Sequence, residues 1–252
     1  MAPSALLPAG PPPGFPLCIR CPYVRTGPAV ICVVCARRTF EAIGADACTI
    51  CSQLLNSDGS CPNELCRDPG RRISRVHAVA YQSGPLRRII NNYKYEGSNA
   101  WSGVFGRLVL GWLEMHAREH PPDLIVANPT FTGLGGRPFG HTEAVLWKAA
   151  AEDTMARWPF DLMRPPALVK VRPTAPSASA TTQAKLAAAR ELRTALRIPD
   201  ISRIESRRIL VYDDVCTTGS QLDMIAGCLL DEGRAAEVQG LVLARAPWRR
   251  RT

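Results

Sequence analysis

The stretch Ile209-Leu-Val-Tyr-Asp-Asp-Val-Cys-Thr-Thr-Gly-Ser220 decides how the rest of the chain is interpreted. Its first four residues are apolar and β-prone, which predicts a buried strand. Two adjacent carboxylates, Asp213 and Asp214, come next, and a helical pattern of apolar residues begins after Ser220. We expect the chain to bend sharply after Tyr212, so that both acids stand at the carboxyl end of the strand. In open α/β sheets this edge is where ligands bind.

The turn between the strand and the helix carries the groups that hold a phosphate. Thr217, Thr218 and Ser220 offer hydroxyl donors. Gly219 permits a close approach of the backbone, and amides at a helix N-terminus favour an anion. Because the neighbouring carboxylates suit ribose hydroxyls or Mg²⁺, the stretch predicts a site for a phosphoribosyl group. A strand of a P-loop ATPase would need Gly-x4-Gly-Lys-Ser/Thr and a dinucleotide fold Gly-x-Gly-x2-Gly, and neither motif occurs. The remaining alternative is a strand end with two solvated acids.

Strand and helix patterns alternate around this stretch. Apolar β-prone runs predict strands at 76–81, 124–127, 209–212 and 238–244, and helical spacing predicts helices from residue 85, at 101–115, at 144–158 and from residue 221. This alternation predicts an α/β fold with a mostly parallel sheet and helices on both of its faces.

Eight of the ten cysteines form four close pairs near the N-terminus. The pairs are Cys18 and Cys21, Cys32 and Cys35, Cys48 and Cys51, and Cys61 and Cys66. Four thiolates complete a tetrahedral zinc site, so this pattern predicts a small zinc-ribbon-like module with two structural zinc ions. We favour the arrangement in which consecutive cysteine pairs share one ion. The alternative is a cross-brace, in which alternate pairs share one ion. A four-disulfide module is the other alternative, although the N-terminus lacks the pattern of a secretory signal.

Composition and charge set the limits of the interpretation. The 252 residues are 46% hydrophobic and 21% charged, which is typical of a globular chain, and the net charge of +9 favours anionic partners. We divide the chain into a Pro/Ala-rich leader (1–17), a double zinc module (18–70), an α/β domain (74–245) and a basic tail (246–252). We expect a cytoplasmic location, because the N-terminus lacks the pattern of a secretory signal. We expect no membrane partner, because no apolar run is long enough to span a bilayer. The zinc module is a candidate surface for a protein partner.

The motif VYDDVCTTGSQL resembles the phosphoribosyl-pyrophosphate (PRPP) binding motif of type I phosphoribosyltransferases. Together with the eight-cysteine head, it makes the chain similar to the ComF/GntX branch of that family, which is linked to DNA uptake competence. The similar segments run from Cys18 to Arg245 and include Tyr93-Lys94-Tyr95 and Asp123-Leu-Ile-Val126. The resemblance implies a type I phosphoribosyltransferase-like sheet.

The resemblance also implies roles for individual residues. Asp213 and Asp214 would hold the ribose hydroxyls, directly or through Mg²⁺. The 5′-phosphate cradle would consist of Cys216, Thr217, Thr218, Gly219 and Ser220, with Val215 as a further substrate-binding residue. The pyrophosphate loop would contain Ala127, Asn128, Pro129 and Thr130. Arg137 and Lys94 are candidate donors to the leaving pyrophosphate.

Three functions are open on these grounds. The first is a phosphoribosyltransferase that uses PRPP and Mg²⁺ to transfer a phosphoribosyl group to a nitrogenous base. The second is a non-catalytic protein that binds PRPP or another ribose phosphate. The third is a single-stranded DNA-handling protein of the competence type, for which nine Lys and Arg within 170–208 and the tail Trp248-Arg-Arg-Arg251 offer cationic and aromatic groups.

Overall fold

The computed structural model describes residues 39–95, 100–134, 139–174 and 182–248. Some of the predictions fall on residues outside these ranges. They concern the leader, most of the basic tail, Arg137, and the first four cysteines, Cys18, Cys21, Cys32 and Cys35.

A five-stranded, mostly parallel sheet forms the centre of the described chain. Its strands are β1 (Glu41–Ala42), β2 (Arg75–Tyr81), β3 (Leu124–Ala127), β6 (Arg208–Cys216) and β7 (Glu237–Arg245), and a separate two-stranded sheet contains β4 (Val169–Lys170) and β5 (Leu196–Arg197). The strand order in the large sheet is β1-β2-β7-β6-β3. Only β1 is antiparallel to its neighbour; the other pairs are parallel. The predicted α/β class is confirmed.

Helices cover both faces of the sheet. They are α1 (Gly84–Tyr95), α2 (Ala100–His116), α3 (His141–Glu152), α4 (Thr182–Ala195) and α5 (Ser220–Asp231), with short 3-10 helices at Glu64–Arg67 and Ile201–Arg203. The first three pack in one hydrophobic core, and α4 and α5 pack in the other. On β6, Leu210 and Tyr212 enter the first core, whereas Ile209 and Val211 enter the second. This two-sided burial explains the unbroken apolar run of the strand.

The helices α2 and α3 approach each other closely at Gly106. A Cβ atom added to Gly106 would lie 2.6 Å from the backbone nitrogen of Ala149. Gly103, one turn earlier on the same helix, has open space at the same place. The close packing of α2 against α3 therefore requires a glycine at position 106 but not at position 103.

Two expectations about local structure are wrong. The chain does not bend after Tyr212, because the β6–β7 ladder continues through Asp213, Val215 and Cys216. Both acids therefore lie inside the strand. The third helix ends at Glu152, short of the predicted end at Trp158.

Strand β1 belongs to the segment that we assign to the zinc module (18–70), and it pairs with β2 of the α/β domain. The division into domains stays a prediction. Among the described residues, no helix is both long enough and apolar enough to cross a membrane.

Candidate functional site

The two adjacent acids of β6 are buried. Asp213 is 5% exposed and Asp214 is 3% exposed. Asp213 accepts a hydrogen bond of 2.9 Å from the side-chain amide of Asn128, which follows β3, and one of 2.8 Å from the backbone amide of Asp214. The sequence-predicted residues Asn128 and Asp213 are thus brought together, but in contact with each other rather than with solvent.

Asp214 is enclosed by two basic side chains from different helices. Its Oδ1 lies 2.7 Å from Nζ of Lys94, near the end of α1, and its Oδ2 lies 3.0 Å from Nε2 of His141, the first residue of α3. The hydroxyl of Tyr93 donates to the backbone oxygen of His141 at 2.5 Å, which holds the backbone of His141 in place. A ligand for Asp214 would have to displace both bases.

Their surroundings move the pKa values of the two acids in opposite directions. Burial, together with the charge of Asp214, raises the pKa of Asp213 to about 7. Burial alone would also raise the pKa of Asp214, but Lys94 and His141 hold it well below its usual range. At neutral pH, therefore, Asp214 is a carboxylate paired with Lys94, whereas burial favours the neutral form of Asp213.

The residues after β6 form the expected tight turn, the β6–α5 turn (Thr217, Thr218 and Gly219). Gly219 precedes the helix with φ of +87°, a left-handed conformation that favours glycine. The hydroxyl oxygens of Thr218 and Ser220 are 2.9 Å apart, and the amide of Ser220 donates to Oγ1 of Thr218 at 3.3 Å. The hydroxyl groups of Thr218 and Ser220 therefore lie together at the N-terminus of α5, where helix amides favour an anion. Their contact with a phosphate stays a prediction.

An exposed aromatic side chain lies beside the β6–α5 turn. The indole Nε1 of Trp248 donates to the backbone oxygen of Thr217 at 3.1 Å, and Trp248 remains 37% exposed. The hydrogen bond holds one edge of the ring at the turn and leaves indole surface open to solvent. The sequence offered Trp248 only as part of the basic tail.

The other residues that we predicted to contact the ligand are buried or half-buried. Pro129 is buried, Val215 is half-buried against the first core, and Cys216 is buried. The amide of Thr130 donates to Glu143, and its hydroxyl is 3.2 Å from Nδ1 of His141. The loop after β3 thus reaches Asp214 through His141, a residue that the predicted site did not include.

Four of the cysteines lie together and are named here the four-cysteine cluster (Cys48, Cys51, Cys61 and Cys66). Their sulfur atoms all lie within 4.8 Å of one another, and two pairs are 3.9 Å and 3.7 Å apart. Ligands about 2.3 Å from a tetrahedral Zn²⁺ are separated by about 3.8 Å, so these residues fit a zinc ion. The third and fourth cysteine pairs are brought together, as consecutive pairing requires. The second zinc ion would depend on cysteines outside the described residues.

The four-cysteine cluster lies against the β6–α5 turn. The side-chain amide of Asn63, between Cys61 and Cys66, donates to the backbone oxygen of Thr218 at 3.0 Å. A Cβ atom added to Gly219 would lie 3.0 Å from Cδ2 of Leu65. The sequence around Asn63 and Leu65 does not predict this contact, because the contact depends on how the cysteine-containing segment packs against the β6–α5 turn.

The basic strip within 170–208 is partly neutralised. Four of its arginines form ion pairs with acids: Arg172 with Glu191, Arg193 with Glu232, Arg203 with Asp161, and Arg208 with Asp123. The strip therefore offers fewer free cations to a phosphate backbone than its composition indicates.

The fold and site define a class of protein: an α/β sheet with a buried acid pair and a hydroxyl-rich turn, beside a cluster of four cysteines. No family model matches the chain. It is 30% identical over 225 residues to the DNA utilization protein YhgH of Escherichia coli O6:H1, covering 85% of this chain and 90% of that protein. The YhgH proteins of Escherichia coli K12 and Salmonella typhimurium are 29% and 28% identical, with 82% and 85% of this chain and 86% and 90% of those proteins covered. The chain belongs to the family of the DNA utilization protein YhgH, which agrees with the ComF/GntX resemblance.

Proposed function

We propose that this chain is a DNA-utilization protein that binds single-stranded DNA at the β6–α5 turn and at Trp248, without phosphoribosyl transfer. The family supports this function, since the relatives are named DNA utilization proteins and are matched over most of the chain. The geometry supports it through one arrangement in particular, the anchored and exposed indole of Trp248 beside the turn.

The arrangement pairs the two surfaces that a nucleotide requires. The base stacks on the open part of the Trp248 ring, and a backbone phosphate lies at the hydroxyl groups and amides that open α5. Stacking of a base on an aromatic side chain contributes about 1–3 kcal/mol and accepts any base. The site therefore recognises a single strand without reading its sequence.

The buried acids argue against transfer chemistry. A PRPP site needs carboxylates that can reach ribose hydroxyls or Mg²⁺, whereas Asp214 is 3% exposed and sits between Lys94 and His141. Turning Asp214 towards a ligand would leave the largely buried ammonium of Lys94 without its partner carboxylate, which is costly. Asp213 and Asp214 are better explained as groups that hold β6 to α1, α3 and the loop after β3.

The test compares two exposed tryptophans in binding to a fluorescent oligothymidylate. Trp248→Ala should weaken binding about 5–100-fold, which is the loss of one stacked base. Trp147→Ala is the matched control, since Trp147 lies on α3, is 42% exposed and stacks with Arg164. Equal affinity of the wild type and Trp248→Ala, or an equal loss in both variants, would overturn the proposal.

The salt dependence provides a second readout of the same proposal. Four of the nine cations of the basic strip are held in ion pairs, so we expect about two to four phosphate contacts. The slope of log K against log salt should then be about −1.5 to −3 for a single strand. A slope near zero would exclude a phosphate contact at the turn.

A second candidate is binding of PRPP or another ribose phosphate, and the assembled hydroxyl turn favours it. For this function the carboxylates of Asp213 and Asp214 turn towards the ligand and contact the ribose hydroxyls, and Mg²⁺ binds together with the ligand. Pyrophosphate release with a panel of nucleobases tests transfer directly. Release that is lost in Asp214→Asn while zinc content stays unchanged would favour this candidate over DNA binding.

A further inference from the structure

The guanidinium of Arg245 is a buried charge at the end of β7. Arg245 is 0% exposed and pairs in register with Cys216 of β6. A charged group in such a place is costly unless it is hydrogen-bonded and has a counter-charge nearby. The position of Arg245 therefore requires an explanation from its contacts.

Those contacts join the four-cysteine cluster to the β6–α5 turn. Nη1 donates to the backbone oxygen of Cys216 at 2.9 Å and to that of Thr217, and Nη2 lies 3.7 Å from the sulfur of Cys51. Within the part of the chain that the structure describes, no Asp or Glu forms an ion pair with Arg245. The anionic groups available to it are cysteine thiolates.

A metal-loaded four-cysteine cluster supplies the missing counter-charge. Four thiolates carry four negative charges and Zn²⁺ carries two positive ones, so the loaded cluster has a net negative charge. Arg245 stands directly against it through Cys51. The other terminal nitrogen of the same guanidinium, Nη1, donates to the backbone oxygen of Thr217 in the turn. The side-chain amide of Asn63 donates to the backbone oxygen of Thr218 in the same turn.

We propose that Arg245 is a positioning residue that couples the four-cysteine cluster to the β6–α5 turn, so that metal binding sets the conformation of the turn and its affinity for a phosphate-bearing strand. The effect on affinity rests on the proposed function; the effect on the turn does not. When the metal leaves, Arg245 loses its counter-charge and the Asn63 segment loses its anchor, and the turn loosens.

Coupling of this kind is reciprocal. If metal binding raises the affinity for a single strand by some factor, the strand raises the affinity for the metal by the same factor. Couplings between sites are typically about 5–150-fold, and we expect about tenfold here, because one guanidinium and one amide join the two sites.

Hydrogen exchange of the turn is the primary test, on the full chain in reducing buffer with zinc bound or removed by a chelator. Zinc removal should raise exchange of the amides at 217–220 at least about tenfold more than exchange of the amides in β3. Equal protection of the turn with and without zinc would overturn the proposal. Because this comparison uses the wild-type chain, it does not depend on the folding of any variant.

Two variants separate coupling from general loss of structure. Arg245→Lys keeps the charge but loses the forked donors, and it should lower zinc affinity in a chelator competition and expose the turn even with zinc bound. Arg71→Met is the matched control, since Arg71 donates to the backbone oxygens of Cys66, at 3.0 Å, and Ile73, which lie outside the turn. Equal effects of the two variants on the turn would contradict a specific role of Arg245.

Oligothymidylate affinity, measured on the zinc-loaded and zinc-free chain, gives the functional readout. We expect about tenfold weaker binding without zinc. If the zinc-loaded chain binds no oligothymidylate, the proposed function fails, while exchange at the turn still decides the coupling. If binding occurs but does not change with zinc, the coupling fails and the proposed function stands.

Discussion

Substitution of each acid of β6 by asparagine should change stability in opposite directions, although the two residues are adjacent. Asp213→Asn removes a charge that burial disfavours and keeps a side chain of the same shape: its amide oxygen can accept from the backbone amide of Asp214, and its NH2 group can donate to Asn128 once the Asn128 amide turns over. Asp214→Asn removes the carboxylate that lies against Lys94 and His141. The first variant should be more stable than the wild type at pH 8, and the second less stable.

The magnitudes follow from the environments of the two groups. The pKa of Asp213 rises from 3.8 to about 7, and at about 1.4 kcal/mol for each tenfold change this sets an upper limit of roughly 4 kcal/mol on the cost of its charge. Relaxation of the chain reduces that cost, so we expect a gain of about 1–3 kcal/mol for Asp213→Asn at pH 8. Loss of one partner from a buried ion pair costs about 3–5 kcal/mol, and about 2–4 here because Lys94 can turn towards solvent.

The change in unfolding free energy caused by each substitution should depend on pH in a different way. Because the folded pKa of Asp213 is raised to about 7, the destabilisation by its charge grows between about pH 4 and pH 7, so the gain from Asp213→Asn should be roughly half as large at pH 5 as at pH 8 and should approach zero only below about pH 4. The lowered pKa of Asp214 means that its contribution is present above about pH 4, so the loss from Asp214→Asn should be similar at pH 5 and pH 8. Urea unfolding at both pH values measures these differences. Destabilisation by Asp213→Asn at pH 8, or a gain that does not depend on pH, would refute the reasoning.

Three further predictions concern packing, the turn and the metal. Gly106→Ala should cost about 1–3 kcal/mol in urea unfolding because its Cβ meets Ala149 at 2.6 Å, while Gly103→Ala on the same helix should gain about 0.5–1 kcal/mol; equal effects would contradict the close packing. Gly219→Ala should cost about 1–2 kcal/mol, since φ is +87° there, and a neutral result would contradict that conformation. Cys61→Ser should lower the zinc content and the thermal midpoint of the reduced chain, and full zinc retention would exclude a metal at the four-cysteine cluster.

The fold was largely predictable because its central strands are buried on both faces. Such strands are continuous apolar runs, and the sequence located Leu124–Ala127 to the residue. The carboxyl end of β6 was misjudged for a physical reason. Two acids and a hydroxyl-rich turn are polar, and a polar run is typical of a loop, but here the ladder with β7 continues to Cys216 and the acids are paired inside the protein.

The candidate site was predictable in its local parts and not in its long-range contacts. The turn and the cysteine spacing are short-range patterns: the structure has a tight turn before α5, and it brings the third and fourth cysteine pairs together. The partners of Asp214 come from α1 and α3, and Arg245 meets Cys51 from 194 residues away in the chain. A single sequence carries no signal for such pairs, because they are set by the docking of elements rather than by spacing.

A calorimetric titration of the zinc-loaded chain with an oligothymidylate, and separately with PRPP and Mg²⁺, tests most directly whether this edge of the sheet receives a DNA strand. We expect saturable heat with the oligothymidylate, reduced in Trp248→Ala, and no saturable heat with PRPP and Mg²⁺. Saturable binding of PRPP that requires Asp214, with no binding of the oligothymidylate, would contradict the account.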